Sequence, residues 1–159
     1  MEQSRDEVLI RNTISLPGAG RTENVLGVTH TYRLEEQQTG GRLAVLDLTV
    51  PPGHGVPPHK HTLEDELFYV IEGAVEVIGD DLPGPTRVEK GALFYGPRGR
   101  MHSFHNHTET PSNLLVLVTP GGNIQRMFGA LAALTASSQG FPKPEEVKTL
   151  CAGYDIIFA

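Results

Sequence analysis

The sequence has a single cysteine, Cys151, so no disulfide can close within the chain, and a reducing, cytoplasmic setting is expected. It also lacks a long apolar run. Each stretch of apolar residues stops after five or six, too short for a membrane-spanning helix, so no membrane partner is expected. Nor is there an excess of positive charge: 13 Lys and Arg stand against 19 Asp and Glu, a formal net charge of -6. That balance argues against nucleic acid as the main partner, and no helix-turn-helix pattern offsets it. Met1 is followed by Glu2-Gln3-Ser4-Arg5-Asp6-Glu7, which reads as neither a signal peptide nor a transit peptide.

Turn formers, by contrast, are abundant. The 18 glycines and 12 prolines concentrate between short apolar runs, and strand-like segments recur at close spacing. This is the pattern of an all-β chain with many turns. A length of 159 residues predicts one domain with one core. Residues 1–24 read as a polar arm, with one short strand at Val8 to Ile10. Residues 25–122 read as the barrel core and residues 123–153 as a helical tail.

Along the core, Val28 to Leu34 alternates strictly and predicts a half-buried strand, with His30 read as a strand residue beside Tyr32. Glu35 to Gly41 reads as a turn, Leu43 to Val50 as an inner strand ended by Pro51-Pro52-Gly53. Further strands are expected at Leu67–Ile71, Ala74–Ile78, Thr86–Glu89, Leu93–Tyr95, Met101–Phe104 and Leu114–Val118. The period then changes. Ile124, Met127, Phe128, Leu131 and Leu134 fall at helical spacing behind Asn123 as N-cap, and Pro144-Glu145-Glu146 opens a second helix that Gly153 stops. Both helices are expected on the barrel or across its mouth, with Cys151 a core residue.

The stretch His59-Lys60-His61-Thr62-Leu63-Glu64-Asp65-Glu66 carries the chemistry. Side chains two apart on a strand share a face, so His59 and His61 can point the same way. Glu66 opens the next apolar run. Two imidazoles and a carboxylate from adjacent strands outline a mixed nitrogen/oxygen metal site. The acidic group Glu64-Asp65-Glu66 reads in part as a solvated face, with Asp65 orienting a ligand histidine. His54, His105 and His107 read as exposed loop residues, and Arg98 and Arg100 as solvated charges beside a turn.

Two spaced patterns coincide around this stretch. Gly53, five residues, His59-x-His61, four residues, Glu66, six residues and Gly73 resemble the first motif of the cupin superfamily. After seventeen intervening residues, Gly91, five residues, Pro97-x-Gly99, two residues, His102, three residues and Asn106 resemble the second. The resemblance covers roughly residues 40–122. It implies a cupin double-stranded β-helix, a jelly-roll barrel, with metal ligands at His59, His61, Glu66 and His102 and a structural role for Asn106. One divalent transition metal per chain (Fe, Mn, Ni, Co, Cu or Zn) is implied, since the mixed ligand set does not choose among them.

Within the superfamily, Thr39-Gly40-Gly41, the Pro-rich Pro51 to Pro58, Asp65 to Val70, Val118 to Gly122 and the tail ending Gly153-Tyr154-Asp155-Ile156 resemble single-domain bacterial quercetin dioxygenase-like proteins. That resemblance implies a dioxygenase acting on a small aromatic or enolic substrate, with Glu66 also the catalytic base. Phe68 and Phe104, on the ligand faces of their strands, are expected to line the substrate chamber. Non-oxygenase cupin chemistry (an isomerase, decarboxylase or polyketide cyclase) and a non-enzymatic small-molecule or metal-binding module are the alternatives. A homodimer is expected, because short barrels expose sheet edges that an arm and a partner can cover.

Overall fold

The structure is a computed structural model that describes residues 9–159. Two antiparallel sheets form its body. The six-stranded sheet contains β1 (Thr22–Val25), β2 (Val28–Leu34), β3 (Ala44–Val50), β10 (Ser112–Thr119), β5 (Asp65–Glu72) and β8 (Leu93–Gly96), in that spatial order. The five-stranded sheet runs β11 (Ile156–Phe158), β4 (Gly55–His61), β9 (His102–His105), β6 (Ala74–Gly79) and β7 (Thr86–Glu89). The three helices among the described residues are the one-turn α1 (Glu36–Thr39), α2 (Gly122–Ser137) and α3 (Pro144–Ala152). This is the double-sheet jelly-roll barrel that the sequence predicts.

The period-2 pattern decides which residues face inward. On β2, Val28, His30 and Tyr32 are buried while Thr29 is exposed. On β3, Ala44, Leu46, Leu48 and Val50 are buried, and on β10 Leu114, Val116 and Val118 are. Leu46 and Leu48 sit beside Val116 and Leu114 in the β3–β10 ladder, so the core is a stack of branched side chains between the sheets. Fully burying one such side chain stabilises the fold by about 1.5–3 kcal/mol.

The helical tail packs across the open side of the barrel. Ile124, Met127 and Leu131 of α2 are buried, and Cys151 of α3 joins the same core. Burial raises the Cys151 thiol to a pKa of about 11, which removes it as a nucleophile at neutral pH. Leu26 N–H donates to Thr135 Oγ1 at 3.2 Å, tying the β1–β2 turn to the last turn of α2.

Several sequence expectations are corrected here. Leu9 and Ile10 lie outside any strand, and Val8 lies outside the described residues. β1 starts at Thr22, so the barrel begins inside the segment assigned to the arm. The turn after β2 contains α1, ended by Gly40 in the left-handed conformation (φ 63°), which a residue with a Cβ adopts only with strain. Asn123 is not the N-cap of α2. Gly121 holds that position, and the Asn123 side chain is used elsewhere. β11 was not expected at all. It pairs with β4, setting Ile156 beside His61 and Phe158 beside His59.

Candidate metal centre

Four buried side chains converge between the sheets. His59 and His61 come from β4, His102 from β9 and Glu66 from β5. In the β4–β9 ladder His59 lies directly opposite His102. Glu66 reaches across from the other sheet, where its neighbours are Val118 and Gly96. One candidate ligand atom from each of the four residues lies within 4.8 Å of all the others. The cluster therefore clasps the two sheets at one point.

Local backbone features hold each group in place. The Pro57-Pro58 pair cannot donate to a ladder, and the β4–β9 register shifts between Val56 and His59. The Pro57 carbonyl is left to accept a hydrogen bond from His59 Nδ1 at 2.9 Å. His102 Nδ1 faces the Arg100 carbonyl at 3.4 Å. His61 Nδ1 faces Glu64 Oε2 at 3.5 Å. His59 and His102 thus have an outer carbonyl at Nδ1, and His61 has the Glu64 carboxylate behind it, an arrangement that turns each Nε2 inward. Gly96 completes the cradle: a Cβ there would sit 3.1 Å from the His102 ring.

The electrostatics are those of a cation site. His102 Nε2 contacts Glu66 Oε2 at 2.8 Å, and His61 Nε2 lies 3.4 Å from the same oxygen. Burial opposes ionisation of Glu66, but contact with His102 and His61 prevails and holds its pKa well below the usual carboxylate range. Burial likewise opposes charge on His61, yet Glu64 and Glu66 raise it to about 9. His59, dominated by burial, falls to about 4. Both ring nitrogens of His61 are nevertheless buried without a well-formed hydrogen bond. Buried polar atoms left open and aimed at a carboxylate fit a bound cation, and three imidazoles with one carboxylate suit a divalent transition ion. His59, His61, Glu66 and His102 would hold it.

The cluster opens on a cavity of about 370 Å³ between the sheets and under the two C-terminal helices. Leu46, Leu48, Val116, Ile124, Met127 and Phe104 give it an apolar wall. Phe104 is where the sequence places it. Phe68 is not: it is fully buried against Phe94 and Phe104, behind the wall rather than in it.

The outer shell also differs from expectation. Asp65 points away from the histidines and pairs with Arg98 on the surface, because β5 begins at Asp65 and alternation sends Glu66 inward and Asp65 outward. Glu64, read as part of a solvated face, is completely buried. Its Oε1 accepts from Asn123 Nδ2 at 2.8 Å, and that amide also donates to the Tyr154 carbonyl at 2.8 Å. The helical tail thereby supports His61 through Glu64. His105 and His54 are half-buried rather than exposed, and His107 is exposed as expected. Asn106 is structural: fully buried, it donates to the Val50 and Thr110 carbonyls.

One cavity residue was missed. His30 is 5% exposed and lines the cavity, where it stacks edge-on against Phe128 at 4.5 Å. The available signal was a polar residue in the inward phase of an alternating strand.

Comparison with known proteins agrees with this geometry. Residues 46–118 match the family model described as the cupin domain. Over residues 46–118 the double-sheet barrel with its histidine–glutamate cluster is thus similar to a cupin domain. The chain is 35% identical to Protein SchB of Streptomyces halstedii over 71 residues, 45% of this chain and 50% of SchB. It spans about half the length of the curated relatives it first matches. KdgF from Halomonas sp. superposes with a TM-score of 0.62 at 21% identity, covering 71% of this chain and 99% of KdgF. A predicted oxalate decarboxylase from Thermotoga maritima superposes with a TM-score of 0.60 at 19% identity, covering 67% and 98%. These structural likenesses concern the fold.

Proposed function

We propose that the chain is a metal-dependent cupin enzyme, a quercetinase-like dioxygenase acting on a small aromatic or enolic compound. The observation that carries this reading is a buried set of three histidines and one glutamate facing an apolar cavity. A divalent transition ion held there supplies Lewis-acid activation of a substrate oxygen. The chain's own residues do the rest. The apolar wall excludes water and orients a planar body. Glu66 is the one carboxylate in the cluster and the group placed to take an enol proton. Its contact with His102 and His61 makes it a weak base at rest, so proton transfer requires that contact to loosen.

The test is oxygen uptake with a flavonol such as quercetin after loading with Fe, Mn, Ni or Co. Consumption of one dioxygen per substrate is expected. Product formed without oxygen uptake would move the reading to isomerase, decarboxylase or cyclase chemistry. Metal binding with no turnover across a broad enol panel would leave a binding module.

A homodimer is part of the proposal. Tyr69, Ile71, Leu93 and Tyr95 are exposed on the outer face of β5 and β8, and Leu9, Ile14 and Leu16 are exposed on the N-terminal segment. A second copy covering both apolar sets is expected from light scattering, and a stable monomer would contradict it.

A further inference from the structure

Among the described residues, His30 is the one histidine in the cavity wall outside the ligand cluster, and it is almost wholly buried. Its Nδ1 is buried with no hydrogen-bond partner among the described residues. The edge-on Phe128 ring fixes its plane without supplying a partner. A buried polar atom left open is destabilising, and unlike the open atoms of His61 and Glu64, which belong to the ligand cluster and its support, the His30 nitrogen has no acidic partner to account for it.

Its position gives one. His30 pairs with Leu48 of β3, whereas Glu66 shares its rung, through Val118, with Ala44 of the same strand. The two polar groups therefore stand at different levels of one cavity, four residues apart along β3. Leu46, Leu48, Val116 and Met127, also in the wall, bring only apolar atoms from their side chains.

We propose that His30 is a second polar anchor for the ligand, a neutral imidazole that hydrogen-bonds a hydroxyl or carbonyl on the part of an aromatic molecule away from the ligand cluster. The proposal rests on the small-molecule reading above and narrows it. The preferred compound has an apolar ring body and two separated oxygens, one for the cluster and one for His30. A neutral imidazole offers one donor and one acceptor, so it takes a phenol or a ketone equally. A site built around such a bond discriminates against an analogue that lacks the oxygen.

The test uses phenol and toluene, which match in shape and differ in the hydroxyl, titrated into the metal-loaded full chain. Replacing the imidazole by an apolar group, His30→Leu, is expected to lower the phenol-to-toluene affinity ratio about tenfold, while His30→Gln keeps it within about threefold of wild type. In the wild-type protein, phenol and not toluene is expected to shift the His30 ring nitrogen resonances, a readout that does not depend on the variant folding. A ratio that stays within about twofold in His30→Leu, unmoved ring resonances, or failure of both compounds to enter the wild-type cavity would each overturn the proposal. Neither probe needs dioxygen or turnover, so a negative quercetin assay would count against the oxygenase reading and leave this result standing.

Discussion

At one level of the cavity, His59, His61 and His102 each have an outer partner behind the imidazole, and Glu66 lies between them. At the other, His30 has an aromatic ring against its edge and no hydrogen bond to its Nδ1. The first is backed by the chain itself, through the Pro57 and Arg100 carbonyls and, at a longer 3.5 Å, through Glu64, which Asn123 holds. The second is left open. Bracing suits groups that must keep a fixed geometry around an ion, whereas an open donor and acceptor in an apolar wall suits an exchangeable ligand.

The contrast is sharpest where ligands are removed. His59→Ala or His102→Ala is expected to lose the bound metal almost completely while circular dichroism shows the barrel intact. Each variant removes one of four ligands but none of the branched core between the sheets. Unfolding of both variants would make the cluster a structural element instead.

A smaller effect separates the true brace from the one the sequence suggests. Glu64→Gln should weaken metal binding by about 10–100-fold in competition with a chelator, the range found when an outer partner of a ligand histidine is lost. Asp65→Asn, which breaks only the exposed Arg98 pair, should leave it unchanged. Equal effects from the two would remove the distinction between them.

The smallest effect concerns His30 and pH. Burial lowers its pKa from 6.5 to about 4, against a weaker upward pull from Glu66. Between those values the unfolded chain binds a proton that the native one refuses, so this stabilising contribution is present above pH 6.5 and lost as pH falls toward 4. Thermal melts of the metal-free protein should therefore decline less steeply with acidification in His30→Leu than in wild type. Identical slopes would show that His30 accepts a proton in the folded state.

The same contrast explains what could be read in the sequence. Gly53, His59, His61, Glu66 and Gly73, with Gly91, Pro97, Gly99, His102 and Asn106, carry turns and ligands at fixed spacings, and spacing is visible in a linear string. Strand periodicity likewise marked most of the barrel. Glu64 and Asp65 differ by one position, and their fates depend on where β5 begins and on Asn123, 59 residues away. No local pattern contains that distance. β11 is three residues long and owes its strand to pairing with β4, and β1 is likewise a four-residue partner of β2. His30 was assigned correctly to a strand face, but what that face looks onto is fixed by α2 and α3 closing over it.

The central claim is that four side chains from β4, β5 and β9 meet around one ion. An anomalous difference map from crystals of the purified protein, recorded at the absorption edge of whatever metal elemental analysis finds, tests it most directly. The predicted result is a single peak about 2.0–2.2 Å from Nε2 of His59, His61 and His102 and from a Glu66 oxygen. Metal-soaked crystals with no peak at the cluster, and with His102 still bonded to Glu66 as it is here, would contradict it.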